Sequence, residues 1–307
     1  MSETAARLDD PAEAAAFAAA FELSAPPADF VDDPYPYYRA LREHDPVRRL
    51  ADGSLFLTRH EDVSTVYRSP HASSDKKREF RPKFGDSPLY AHHTTSLVFN
   101  DPPLHTRVRK LILGALSQRA VARMEAGVEA LVDGLLDAMQ DKGRFDLIDD
   151  FAAQIPVEVI GNLLAVPRAD RGPLRGWSLA ILAALEDLPS AGMLDEGNAA
   201  VREFSAYLDG LIADRRARPL DPEEDVLTRL IQGEVDGERL THAALVQNCI
   251  FLLNAGHETT TNLIGNGLDS LLAHPGEFRR LAGDPSLLNT AVEEMLRFES
   301  PLQFNKR

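Results

Sequence analysis

The longest hydrophobic pattern in the chain runs from about Thr241 to His274 and predicts one long helix. Thr241 is a suitable N-cap and Pro275 ends the pattern. The midpoint, segment 255–260 with the sequence AGHETT, brings a glycine, a carboxylate and threonines into an otherwise apolar helix. These residue types are unfavourable inside a buried helix, and such a local conflict is typical of a functional site. A helix that surfaces briefly at its midpoint is the alternative interpretation.

The rest of the pattern predicts a mainly α protein with a small β-sheet. Alternating residues on either side of Asp52-Gly53 predict a hairpin over 47–58, and a short helix follows. The stretch 70–98 lacks periodicity and predicts a long loop. No repeat or linker divides the chain, so we expect a tail or frayed helix over 1–24 and one domain over 25–307. Further helical patterns cover about 104–116, 118–139, 155–164, 170–184, 194–218 and 224–231.

Two further motifs lie before and after the long helix pattern in the sequence. Glu294 and Arg297 form an E-x-x-R whose charges lie on one helical face, followed by Ser300-Pro301. Upstream, the segment 101–109 reads DPPLHTRVR, in which a proline turn leads into a helix carrying His105 and Arg109 at i and i+4. Each motif alone has an ordinary explanation, because charged pairs are common on solvated helix faces.

Together, in this order and at these spacings, the three motifs resemble the cytochrome P450 family of haem-thiolate monooxygenases, specifically its soluble bacterial type. The resemblance runs through nearly all of the chain and implies the family's helical prism fold with a small sheet. It implies haem b (iron protoporphyrin IX) as the cofactor. It also implies insertion of one oxygen atom from O2 into a hydrophobic small molecule, with electrons passing from NAD(P)H through a ferredoxin reductase and a ferredoxin.

The resemblance assigns roles to particular residues. Glu258 and Thr259 match the acid–alcohol pair that relays protons on the distal side of the haem. His105 and Arg109 match a pair that binds a haem propionate, and Arg307 is a weaker match to another propionate ligand. Ala255 and Gly256 match the small residues beside the haem, and Glu294 and Arg297 match a buried structural pair on the proximal side.

Some assignments from the sequence stay open. Phe251 and Asn254 precede the motif on the same helix and are candidates for the substrate pocket, although the Asn254 amide could equally face another helix. Arg107 and Lys110 lie off the stripe formed by His105 and Arg109, so we expect them on the solvent side, where an acidic ferredoxin could dock.

The haem-ligand cysteine of the family does not occur in this chain. The one cysteine, Cys249, lies inside the long helix and is interpreted as a small hydrophobic residue rather than a ligand. We therefore expect a chain whose carboxy-terminal part, with the thiolate loop, is absent, and whose activity on its own is absent too. The alternative is a non-catalytic helical remnant that acts as a binding or interaction module.

Composition limits the other classes of function. The net charge of −15 argues against general nucleic-acid binding, and no apolar run is long enough to span a membrane. A single cysteine excludes a disulfide framework and favours a cytoplasmic protein. A zinc-protease helix would need histidine where Thr261 stands, and the adjacent histidines at 92–93 lack further ligands, so we predict no metal site formed by side chains alone.

Overall fold

The computed structural model describes residues 7–116, 121–186, 189–222, 225–235 and 238–307. The described residues are mostly helical, with two small antiparallel sheets of two strands each, which confirms the predicted mainly α class. None of the described helices is both long enough and apolar enough to cross a membrane. Contacts within the chain define two units, residues 1–73 with Arg307, and residues 74–306, whereas the sequence predicted a single domain over 25–307.

The first unit contains the predicted hairpin and a core of its own. Strands β1 and β2 pair with Val47 opposite Leu57, and the turn between them includes Gly53 with a positive φ of 86°. Its elements are α1 (Pro11–Ala20), α2 (Tyr35–His44), β1 (Val47–Arg49), β2 (Leu55–Leu57) and α3 (His60–Arg68).

Within the described residues from position 7 onward, the amino-terminal segment is packed, which corrects the predicted tail or frayed helix over 1–24. The Asp10 carboxylate accepts a hydrogen bond of 2.8 Å from the backbone N–H of Ala12 and caps α1. Ala18 and Phe21 are then buried in a cluster with the fully buried Tyr37. Alanine-rich helices have weak hydrophobic patterns, so the sequence offered little indication of this packing.

The second unit is built around the long central helix. Its main elements are α4 (Lys77–Phe84), α5 (Pro88–Thr95), α6 (Leu104–Ala115), α7 (Glu125–Lys142), α8 (Gln154–Leu163), α9 (Gly172–Ala183), α10 (Ala191–Ala217), α11 (Val226–Gln232), β3 (Glu234–Val235), β4 (Glu238–Arg239), α12 (His242–Ala273), α13 (Pro275–Gly283) and α14 (Leu288–Phe298). Short helical turns lie at Leu97–Phe99, Ile148–Ala152, Arg168–Asp170 and Pro285–Leu287. Helices α8, α9 and α10 pack on α12, and the first half of α12 enters the main core through Cys249, Ile250 and Leu253.

The predicted helices are confirmed to within a few residues, apart from the start of the pattern over 118–139. That helix begins at Glu125, and part of its predicted start lies outside the described residues. The predicted loop over 70–98 is wrong, because it contains α4 and α5. The Ser87 hydroxyl accepts a hydrogen bond of 3.2 Å from the N–H of Tyr90, with Pro88 at the first position of α5, so local capping starts a helix that has no amphipathic pattern.

Candidate functional site

The central helix α12 begins and ends where the sequence predicted. The Thr241 hydroxyl accepts a hydrogen bond of 3.1 Å from the N–H of Ala244, and the helix continues for 32 residues to Ala273. At the other end the backbone N–H of His274 bonds the carbonyl oxygens of Ser270 and Leu271, and Pro275 starts the next helix. One uninterrupted element therefore carries the AGHETT segment.

The midpoint of α12 has one open face. Ala255 is the one exposed residue between positions 244 and 268, although it lies in the middle of a helix whose first half is core. The residues above and below it along the same face are half-buried, and we call this set the open face: Phe251, Ala255, Glu258, Thr259 and Asn262. The structure thus brings the predicted acid, the predicted hydroxyl and the small Ala255 together on one surface.

Glu258 has the electrostatic environment of a carboxyl group that takes up protons readily. Its pKa is raised above the ordinary value, first by partial burial and then by the negative charge of Glu186. Glu186 is exposed and lies far away in the sequence, so no local pattern could have indicated it. A half-buried carboxyl with a raised pKa is suited to proton transfer near neutral pH.

Thr259 uses its hydroxyl hydrogen within the helix. Oγ1 of Thr259 donates to the carbonyl oxygen of Ala255 at 3.0 Å, and Thr261 makes the same bond to His257 at 2.9 Å on the buried side. Both threonine hydroxyls therefore bond backbone carbonyl oxygens one turn back in the helix. The lone pairs of the Thr259 hydroxyl remain able to accept a hydrogen bond from a water molecule or a ligand.

Gly256 has a packing role that the sequence did not indicate. A Cβ atom at this position would lie 2.3 Å from Cδ1 of Ile160 on α8, far inside van der Waals contact. The resemblance placed Gly256 beside the haem, but in the structure its bare Cα also leaves room for the end of the Ile160 side chain on α8. The assignment of Gly256 to the cofactor stays a prediction, and helix packing explains the glycine without it.

The two pocket candidates have different surroundings. Phe251 is half-buried and packs against the main core from the open face. Asn254 is buried, and its Oδ1 atom has no hydrogen-bond partner among the described residues. The amide therefore lies off the open face, which favours the alternative that it faces neighbouring helices. The substrate role of both residues stays a prediction.

Helix α6 presents the predicted anion-binding pair on its partly accessible side. Val108, Leu111 and Ile112 are buried in the main core, whereas His105 is half-buried and Arg109 is exposed. The sequence also predicted Arg107 and Lys110 on the solvent side of α6, and this is correct for Lys110 only.

Lys110 is exposed as predicted, but Arg107 is half-buried with its Nε atom shielded from solvent. The i,i+4 rule identified the stripe of His105 and Arg109 but could not indicate that the long Arg107 side chain folds against the protein.

The carboxy-terminal candidates are accessible. Glu294 and Arg297 form the predicted pair through two hydrogen bonds of 2.7 Å, which lower the pKa of Glu294 and raise that of Arg297. Their side chains are 59% and 69% exposed, so the expectation of a buried pair is not met in this structure. Arg307 is exposed, with its guanidinium carbon 5.5 Å from the centre of the Tyr67 ring, and its propionate role stays a prediction.

The histidines at 92 and 93 are buried and pack against neighbouring side chains. Nδ1 of His92 lies 2.9 Å from Oε1 of Gln247, and burial lowers the pKa of His92 to about 4. His93 is surrounded by the rings of Phe80, Phe84 and Phe99. Among the residues that the structure describes, no group of three or more histidine, cysteine, aspartate or glutamate side chains could hold a metal ion.

Comparisons with known proteins decide the family. A family model described as "Cytochrome P450" matches residues 185–284. The chain is 40% identical over 277 residues to the vitamin D(3) 25-hydroxylase of Pseudonocardia autotrophica, covering 89% of this chain and 66% of the relative. It is 37% identical to cytochrome P450 107B1 of Saccharopolyspora erythraea, covering 89% of this chain and 67% of that protein. Among solved structures, P450BioI in complex with an acyl carrier protein ligated to hexadec-9Z-enoic acid has a TM-score of 0.83 at 31% identity, covering 90% of this chain and 71% of that one.

The chain belongs to the cytochrome P450 family. It spans about two thirds of the length of the curated relatives it matches. The family's cofactor is haem b, and the open face of α12 fits one side of such a group. Ala255 has no side chain beyond Cβ, so a flat macrocycle could lie against it, and His105 and Arg109 have the chemistry that propionates need.

Cys249 does not fit as a ligand to the haem iron. It is buried in α12, as predicted, and burial raises the pKa of its thiol to about 12. At neutral pH it is therefore a neutral thiol, whereas the family's proximal ligand is a thiolate. The packing role predicted for Cys249 is confirmed by its complete burial in the main core.

Proposed function

We propose that this chain is part of a cytochrome P450 monooxygenase whose full-length form inserts one oxygen atom from O2 into a hydrophobic small molecule. The observation that carries the proposal is the pairing of Glu258 and Thr259 on the open face of α12, next to the exposed Ala255. A carboxyl of raised pKa and a hydroxyl are thereby available at one surface, which is the requirement for delivering protons to bound oxygen.

When bound, haem supplies the iron that activates dioxygen for transfer of one oxygen atom to the substrate. The residues of this chain then have separate tasks. Glu258 takes up a proton from solvent, which its raised pKa favours, and passes it on toward the open face. The Thr259 hydroxyl oxygen accepts a hydrogen bond and thereby holds a water molecule or the ligand in place. The hydroxyl hydrogen remains donated to the carbonyl oxygen of Ala255.

We propose that His105 and Arg109 hold a haem propionate. Arginine binds carboxylates through two parallel hydrogen bonds, and a protonated histidine adds a second charge-assisted bond. On α6 Arg109 is exposed and His105 is half-buried beside the buried Val108 and Ile112, so both side chains remain accessible to an anion, which supports this role.

A hydrophobic substrate agrees with two independent observations. Phe251 provides an aromatic surface on the open face, one turn from Ala255. The relatives' names also indicate hydrophobic molecules, vitamin D3 in one case and a hexadecenoic acyl chain in the other. We propose electron supply by a ferredoxin and its NAD(P)H-dependent reductase, with Lys110 on the docking side, and a cytoplasmic location.

The test is isotopic. The full-length, haem-loaded protein, supplied with ferredoxin, reductase and NADPH under ¹⁸O2, is incubated with hydrophobic compounds that perturb its haem absorption spectrum. We expect products that contain one ¹⁸O atom. A reducible, substrate-binding protein that forms no labelled product with any such compound would contradict the proposal and favour a non-catalytic binding module.

A further inference from the structure

The buried side of α12, next to the open face, carries polar atoms that have no hydrogen-bond partner. His257 is 1% exposed, and neither Nδ1 nor Nε2 is bonded within the described residues. Oδ1 of Asn254, one turn earlier, is also buried and without a partner. Buried polar groups are normally satisfied, so an unpaired imidazole and amide oxygen side by side require an explanation.

Helix α9, which packs on α12, carries matching atoms. Ser178 is fully buried and its Oγ has no partner among the described residues. Arg175 lies one turn earlier on α9, where its Nη2 atom donates to the exposed Asp149 at 2.6 Å while Nε is buried and unbonded. The Arg175 guanidinium therefore extends from the surface into the interior, because Nη2 is bonded to the exposed Asp149 and Nε is shielded from solvent.

The two groups of atoms lie on helices that pack against each other, and they are complementary in type. The positive charge of Arg175 acts on His257 and, together with the larger effect of burial, lowers the pKa of that histidine to about 4. His257 is thus neutral at physiological pH, with one nitrogen that donates and one that accepts. Arg175 Nε donates, Ser178 Oγ does both and Asn254 Oδ1 accepts, yet no direct bond joins them. Water molecules between α9 and α12 would satisfy all of these atoms.

We propose that Arg175, Ser178, His257 and Asn254 line a buried water-binding site between α9 and α12, and that this site conducts protons from solvent to Glu258. The second part rests on the proposed monooxygenase function. With 3.6 residues per turn, Asn254 projects from α12 at an angle between those of His257 and Glu258. The proposed water site therefore extends around the helix toward the Glu258 carboxyl. A proton that enters at the Arg175–Asp149 end replaces the one that Glu258 releases, and His257 stays neutral because it only orients the water.

The water site itself is tested by structure and stability, without any activity. A high-resolution crystal structure is expected to contain at least one ordered water bonded to His257 and to Ser178 or Asn254. Ser178→Ala is expected to lower Tm by about 2–4 °C, because a hydroxyl bonded to water is lost. In a dry site the same substitution removes an unpaired hydroxyl and raises Tm. Direct bonds between these side chains, or a raised Tm, would overturn the proposal.

The proton-conducting role is tested with His257→Leu and His257→Gln in the haem-loaded protein. Glutamine keeps a donor and an acceptor, whereas leucine keeps neither. We expect a larger solvent isotope effect and less product per NADPH consumed for His257→Leu, and values near wild type for His257→Gln. His242→Gln, an exposed histidine on the same helix, is the matched control.

If wild type and His257→Leu give equal isotope effects and product yields, the proton role is wrong. If the wild type forms no oxygenated product at all, the proposed function fails, while the crystal structure and the Ser178→Ala measurement still decide the water site.

Discussion

At the residue scale, Gly256 illustrates how packing and function overlap in the AGHETT segment. The sequence could predict that this position is special, because glycine is unfavourable in a helix interior. It could not predict that Ile160, from a distant part of the chain, lies where a Cβ would be. The same limit applies to Glu186, whose charge contributes to the raised pKa of Glu258.

Gly256→Ala is expected to destabilise the protein by about 1–3 kcal/mol, because the new methyl would force Ile160 out of its position. The free energy of unfolding in denaturant measures this. Combining Gly256→Ala with Ile160→Val should recover part of the loss. Gly210→Ala, in α10 with open space around its Cα, is the matched control and should be neutral or stabilising. Equal stability of Gly256→Ala and wild type would contradict the packing role.

The raised pKa of Glu258 predicts how stability depends on pH. A carboxyl whose folded-state pKa lies above its unfolded value binds more protons in the folded protein, so its contribution to stability falls as pH rises through that interval. Glu258→Gln removes the charge, so we expect it to be more stable than wild type at pH 7. The gain should disappear below the ordinary glutamate pKa of about 4.3. Unfolding free energies at pH 7 and pH 4 check this, and a less stable Glu258→Gln at pH 7 would show that burial does not disfavour the charge.

At the element scale, the sequence predicts strongly amphipathic or long helices well and fails where helices are short. Helix α12 was predicted with both ends, since its cap and its terminal proline are local signals. Helices α4 and α5 were missed because contacts across the chain support them. Nζ of Lys83 donates to the carbonyl oxygen of Leu185 at 3.0 Å, and the N–H of Leu89 donates to Oδ1 of Asn198 at 3.0 Å. No pattern within 70–98 contains that information.

Helix α6 allows a test of the haem-binding side. His105→Ala and Arg109→Ala are each expected to speed the loss of haem from the loaded protein about tenfold or more, because each removes a charge-assisted bond worth about 1.5–3 kcal/mol. Transfer of haem to apomyoglobin measures the rate, and far-UV circular dichroism should be unchanged. Lys110→Ala, exposed on the same helix, is the control. Transfer rates equal to those of wild type would refute the assignment.

At the scale of the whole molecule, the family could be predicted from three spaced motifs, but the division of the chain could not. Residues 1–73 have a separate core that contains Phe21, Phe30 and Tyr37, and its first helix had been predicted as a tail or a frayed helix. Composition and charge argue against classes of function such as nucleic-acid binding, but they do not indicate how the apolar residues are divided between the cores of the two units. The position of Glu258 and Thr259 on one surface was predictable because it depends on a single helix. The proposed water site depends on the packing of two helices and could not be predicted.

The central claim is that Glu258 and Thr259 form the proton relay of a cytochrome P450 monooxygenase. The most direct measurement is the amount of product formed per NADPH consumed by haem-loaded Thr259→Ala, compared with Thr259→Ser and with Thr260→Ala, whose side chain points to another face of α12. Loss of the hydroxyl that holds the relay water slows proton transfer by about 10²–10⁴-fold, so Thr259→Ala should consume NADPH with little product while the other two variants stay near wild type. A wild-type ratio in Thr259→Ala would contradict the account and leave the hydroxyl with only its bond to the Ala255 carbonyl.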